Sequence, residues 1–169
     1  TFPRHRIVQV AGNHEFYGTR MAPCRARMGE VARSLGIDQL DEGRVVIDGV
    51  EFLGCTLWTD FAVFSGPVER PVACSITEAM RANDRLIVDY RAIEMVESGG
   101  EGGELARPFQ PEDARALHLQ SRDWLAAALA RPFDGPRVVV SHHLPTGLSV
   151  EPRFERSVTN AAFVSDLDG

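Results

Sequence analysis

The sequence predicts an α/β fold, and three patterns predict it. Two short valine-rich runs, Arg6-Ile7-Val8-Gln9-Val10 and Arg137-Val138-Val139-Val140, have the length and composition of strands and stop at polar turns. A further apolar run, Arg44-Val45-Val46-Ile47, is separated from Val50-Glu51-Phe52-Leu53-Gly54-Cys55-Thr56-Leu57 by Asp48-Gly49, the sequence mark of a hairpin with a two-residue turn. Between these runs lie segments whose apolar residues return every three or four positions, the period of a helix.

Taken in order, residues 6–10 read as a buried strand, and Gly12 offers the backbone freedom for a sharp turn after it. Met21–Leu35 reads as an amphipathic helix with Ala22, Met28, Val31, Ala32 and Leu35 inward and Gly36 as its C-cap. Arg25 and Arg27 form its solvated side; a phosphate clamp from one of them, or from Arg20, is the alternative. In Trp58-Thr59-Asp60-Phe61 the acid caps the following turn, with orientation of a ligand as the second option, and the indole belongs to core or rim. Residues 71–93 look helical, with Ile76, Met80, Leu86, Ile87 and Ile93 as buried positions and no legible function. The acidic, glycine-rich stretch 97–104 reads as a flexible connector, an insertion in preference to a lid.

Pro111–Ala130 is the clearest helix, with proline in its first turn and Ala114, Leu117, Ser121, Trp124, Leu125, Ala128 and Leu129 on the side that packs against a sheet. His118 falls at the boundary of that side. Val138 to Val140 suit a strand buried on both faces. Residues 144–159 have no period and form a loop in which Arg153 and Arg156 are candidates to meet a substrate, and residues 160–167 begin another helix.

Composition bounds the function. At 169 residues and 44% hydrophobic content the chain has the size of one domain, residues 1–169, able to bury a core. A net charge of −6 with interspersed signs argues against a nucleic-acid backbone as partner. Cys24, Cys55 and Cys74 are odd in number and lack Cys-x-x-Cys spacing, which fits a reduced, cytoplasmic setting. No apolar run approaches the ~18 residues that span a bilayer, so no membrane partner is expected.

The candidate site lies where two strands end. The first run leads into Gly12-Asn13-His14-Glu15, a pattern that arises by chance on the order of once per thousand sequences. The last leads into Ser141-His142-His143-Leu144-Pro145. Imidazole nitrogens and the asparagine amide oxygen are metal ligands, and side chains from strand ends converge across long sequence separations. A serine hydrolase built on Ser141 fits poorly, because neighbours along a strand point to opposite faces and no Gly-x-Ser-x-Gly elbow occurs.

On these residues the chain resembles the calcineurin-like metallophosphoesterase family, whose blocks include Gly-Asn-His-Asp/Glu and a strand ending in histidine. Trp58-Thr59-Asp60-Phe61 and Ala162-Phe163-Val164-Ser165-Asp166-Leu167 also resemble stretches in bacterial members. The resemblance implies a two-sheet sandwich flanked by helices, and two divalent metal ions (manganese, iron or zinc) about 3.5 Å apart. A hydroxide activated by them would attack the phosphorus of a small phosphoester. It implies Asn13 and His142 as ligands of the second metal, with His143 as the alternative to His142, and His14 as the catalytic imidazole beside the leaving group. Glu15 braces the turn. The Asp-x-His, Gly-Asp-x-x-Asp and Gly-His-x-His blocks are absent. The chain is accordingly expected to be part of a longer protein and weak in catalysis alone, and the rival expectation is a non-catalytic binding scaffold of the same fold.

Overall fold

Strands and helices alternate along the chain, and the fold is mixed α/β. The computed structural model describes residues 5–63, 74–98, 103–154 and 157–167. In chain order the elements are β1 (Ile7–Val10), β2 (Thr19–Arg20), α1 (Met21–Leu35), β3 (Ile37–Leu40), β4 (Gly43–Ile47) and β5 (Val50–Cys55). After them come α2 (Ile76–Leu86), α3 (Asp89–Ala92), β6 (Ile93–Ser98), β7 (Glu104–Pro108), α4 (Pro111–Ala130) and β8 (Arg137–Ser141).

Local chemistry explains several of these boundaries. Asp48 and Gly49 take φ of 50° and 79°, the left-handed pair that a tight hairpin needs, and join β4 to β5 in antiparallel register. Gly36 ends α1 at φ 69°, its N–H returning to Ala32 and Arg33. Ser75 opens α2 with a capping box: its hydroxyl accepts from Glu78 N–H while the Glu78 carboxylate accepts from Ser75 N–H.

Three hydrogen-bonded sheets occur among the described residues. β1 pairs in parallel with β3; β2 pairs in parallel with β6, which pairs antiparallel with β7; and β5 lies between β4 and a parallel β8. The first and third pack closely at Gly54, where an added Cβ would lie 2.6 Å from Leu40 Cβ and 2.9 Å from Val10 Cγ1. The larger core gathers Phe16, Trp58, Phe61, Tyr90, Ile93 and Phe109, and a smaller one joins Leu53, Cys55 and Leu57 to Leu125 and Ala128 of α4. Burial pushes the Cys55 thiol up to about 11, which keeps it an inert core group. Glu51, fully buried, is held between Arg44 and Arg137 at 3.0 and 2.8 Å.

Several expectations need correction. Val138 and Val139 are 40% and 45% exposed, because β8 has a partner on one side only among the described residues. Ile7 of β1 is likewise exposed. Of the five α1 positions expected to face inward, Ala32 is buried and Met28 partly so, while Ala22, Val31 and Leu35 face outward; Met21, at the start of the helix, is buried as well. The stretch read as a plain insertion is entered and left by strands β6 and β7, with residues 99–102 outside the described ones. Residues 71–93 split into α2, α3 and the first residue of β6, with 71–73 outside the described residues. Instead of a helix from residue 160, Val158–Ala162 forms a 3-10 turn, and Val164 bridges to Leu144. No helix among the described residues is long and apolar enough to cross a membrane.

Candidate metal site

β1 and β8 end beside one another, and their loops meet. Asn13 Oδ1 lies 2.9 Å from His142 Nε2, a contact across 129 residues of chain. A carboxamide oxygen only accepts, so the ring proton of His142 sits on Nε2 in this arrangement. Gly12 matters through space and not through backbone angle. It is buried, and an added Cβ would meet His142 Cε1, Nδ1 and Nε2 at 2.6, 2.8 and 2.9 Å. Gly12→Ala is therefore expected to leave the fold intact, since the obstructed ring can swing outward, and to separate His142 from Asn13. Ring nitrogen NMR, which reports the Nε2 hydrogen bond, checks this.

The loop after β1 is tied down on all sides. Gly12 N–H donates to Glu15 Oε2 at 2.7 Å, the bracing expected of that acid. A 3-10 turn, His14–Phe16, follows, and Phe16 sinks completely into the larger core. Gly18 N–H donates to Ala92 O at 2.6 Å and joins the loop to the end of α3. Asn13, also buried, donates through Nδ2 to both oxygens of the buried Asp89, each at 2.9 Å. Tyr17 O–H donates to Asp89 Oδ1. Burial, and then the hydrogen bond and charge of Asp89, push the Tyr17 phenol well up, so it stays a donor. His14 is exposed and packs its ring 4.6 Å from that of Tyr17. Asp89 is the site residue that the sequence does not disclose: it sits in an apparently featureless helical stretch, and only the fold carries it to Asn13.

The two adjacent histidines have different surroundings. His142 is exposed, whereas His143 is buried, with its ring stacked on Trp58 at 5.2 Å and on Phe163 at 6.3 Å. Its Nδ1 donates to Thr56 O at 3.1 Å, and its Nε2 has no partner among the described residues. Burial lowers its pKa to about 4. His142, not His143, is thus the imidazole that reaches Asn13.

His118 corrects the expectation of a boundary residue. It is fully buried, donates from Nδ1 to Leu57 O at 3.1 Å, and holds its Nε2 4.0 Å from Asp60 Oδ2. Burial pushes its pKa down, with Asp60 opposing. Asp60 itself accepts from Ala62 N–H at 2.9 Å, the turn-capping role expected. Around it the chain is strained: Leu57, Trp58 and Phe61 all take positive φ, 73°, 49° and 60°. Such angles in residues with bulky side chains cluster beside functional sites. Thr59, buried, pins this loop by donating to Ala161 O at 2.7 Å.

The described arginines singled out as phosphate or substrate contacts each face a carboxylate. Arg25 faces Asp41 at 3.2 Å, Arg27 faces Glu30 at 3.2 Å and Arg20 faces Glu94 at 3.8 Å, while Arg153 pairs with Glu151 at 2.9 Å. Arg156 lies outside the described residues.

Comparison of the chain with family models, curated proteins and solved structures returns no match.

The donor set can be tested against an ion directly. On an octahedral ion, two neighbouring ligand atoms about 2.1 Å from the metal stand about 3 Å apart. The 2.9 Å between Asn13 Oδ1 and His142 Nε2 meets that requirement once the ring proton leaves Nε2. Among the described residues no group of three or more His, Cys, Asp and Glu side chains is arranged to hold an ion. Asn13 Oδ1 and His142 Nε2 are thus spaced as two neighbouring ligand atoms would be.

Proposed function

We propose that this chain serves a metal-dependent phosphoester hydrolase of the calcineurin-like kind, built on a two-sheet sandwich flanked by helices. The observation that carries the proposal is the contact of Asn13 Oδ1 with His142 Nε2, two ligand atoms brought together from the ends of separate strands. Asn13 and His142 would hold one of two divalent ions, manganese, iron or zinc. When bound, the ions supply Lewis acidity and lower the pKa of water.

The protein's own residues set the rest. Asn13 ligates through a neutral oxygen, so it adds no negative charge where an anionic phosphoester must approach. Next to it, exposed His14 is placed to give a proton to the departing oxygen, the role of a general acid. Glu15 keeps the turn closed through Gly12 N–H, which holds Asn13 and His14 in fixed relation. Small phosphoesters are the substrate class, and nucleic acid is disfavoured by the charge of −6.

Assay of the full-length protein against aryl phosphate mono- and diesters, with each metal in turn, tests the proposal. His14→Ala should lower turnover by about 10²–10⁴-fold, the usual worth of a general acid, with metal content unchanged. Loss of metal from this variant would make residue 14 a ligand and overturn its role as proton donor. Ion binding by the wild type without turnover would favour the binding scaffold.

A further inference from the structure

We infer that Asp89 and Tyr17 are positioning residues of this site: Asp89 sets which way the Asn13 amide faces, and Tyr17 ties that amide to the His14 ring. The inference rests on the metal-binding reading above.

A carboxylate oxygen accepts hydrogen bonds and has no hydrogen to donate. With both Asp89 oxygens 2.9 Å from the Asn13 side chain, only the amide nitrogen can face them. Turned over, the amide would press its oxygen against two acceptors in a buried place, a repulsion that no water relieves. The amide oxygen is thereby directed at His142, where a ligand oxygen is needed. Asp89 lies 76 residues from Asn13, and α3 delivers it through the tie between Gly18 N–H and Ala92 O.

Tyr17 extends the same bracket to the neighbouring residue. Its hydroxyl donates to Asp89 Oδ1 and its ring meets that of His14 at 4.6 Å, tilted by 43°. Asn13 and His14, adjacent in sequence but assigned different tasks, are thus held by two residues bonded to each other.

Asp89→Asn tests the inference, because the new side chain can donate as well as accept and no longer dictates how Asn13 faces. In the full-length protein, Mn²⁺ affinity should fall by about 10–100-fold, the usual cost of losing an outer-shell partner. Without metal, ring nitrogen NMR should show the His142 proton moving partly from Nε2 to Nδ1. A residue that supports only the fold would change stability and leave that tautomer alone. Tyr17→Phe, which keeps the ring and removes the hydroxyl, should weaken Mn²⁺ in the same direction by a smaller factor. Affinity within about twofold of wild type in Asp89→Asn, with the His142 tautomer unchanged, would overturn the inference and leave the metal site standing. Wild-type protein that binds none of Mn²⁺, Fe²⁺ and Zn²⁺ would overturn the proposed function, and the His142 tautomer would then decide on Asp89 by itself.

Discussion

Replacing His142 with alanine should strip the Asn13 site of its ion, whereas His143→Leu should leave the ion in place. The two residues are neighbours in sequence, so a crude disturbance of the loop would affect both variants alike. Their surroundings argue for divergence. His142 Nε2 faces Asn13 Oδ1 at 2.9 Å, and its ring covers Gly12. His143 meets the His142 ring edge-on at 5.0 Å but is itself packed against Trp58 and Phe163, with Nδ1 on Thr56 O. Losing a direct ligand should cost more than the 10–100-fold typical of an outer-shell group. His143→Leu keeps an apolar ring-sized filling, and Thr56 O still accepts from the backbone N–H of residue 143 at 3.1 Å. Metal content of the two purified variants, measured by elemental analysis against the wild type, decides the matter. Depletion in His143→Leu with retention in His142→Ala would reverse the assignment.

Acidification should destabilise the fold, and His143 should account for a large share of the loss. In the folded chain its imidazole takes up a proton only near pH 4, because burial disfavours the cation. In the unfolded chain it does so near 6.5. Between those values the unfolded state binds the proton and the folded state does not. Its contribution is therefore fully present above about 6.5 and is lost as pH falls toward 4. At about 1.4 kcal/mol per pKa unit the loss is on the order of 3 kcal/mol from this one group. His118, pushed down by burial as well, adds in the same direction. Carboxylates also titrate in this range, so the comparison that isolates the histidine is the wild type against His143→Leu. Urea midpoints for both at about pH 7 and about pH 5 should converge on acidification or cross, since only the wild type carries the His143 penalty. Parallel midpoints would show that His143 is not held neutral in the folded chain.

What the sequence disclosed, and what it concealed, follows from the range of the forces involved. The hairpin at Asp48-Gly49, the α1 C-cap at Gly36 and the proline start of α4 are local events, written in residues that touch each other along the chain. All three were legible. Burial was not, because it depends on which elements arrive opposite. Val138 and Val139 look like core but lie on a strand paired on one side among the described residues, and His118 looks like a boundary residue but is enclosed. β6 and β7 escaped notice because a glycine-rich stretch joins them and their outward residues Glu94, Glu97 and Glu104 hide the strand pattern.

The candidate site divides the same way. Asn13 and His142 could be chosen from the two strand-end motifs, and the fold does bring them together. Choosing between His142 and His143 required knowing which side of β8 faces β1. Gly12 was noticed for its backbone freedom, although its use is to make room for the His142 ring. Asp89 carries no local motif at all. Its place beside Asn13 comes from the packing of α3 against the first loop.

If Asn13 and His142 share an ion, paramagnetic broadening by Mn²⁺ should show it at those atoms. Titrated with substoichiometric Mn²⁺, the protein should lose the Asn13 side-chain amide and His142 ring resonances first, while the amides of the Asp48-Gly49 turn, at the far end of β5 from Ser141, stay sharp. Persistence of the Asn13 and His142 signals while resonances elsewhere broaden would contradict the account.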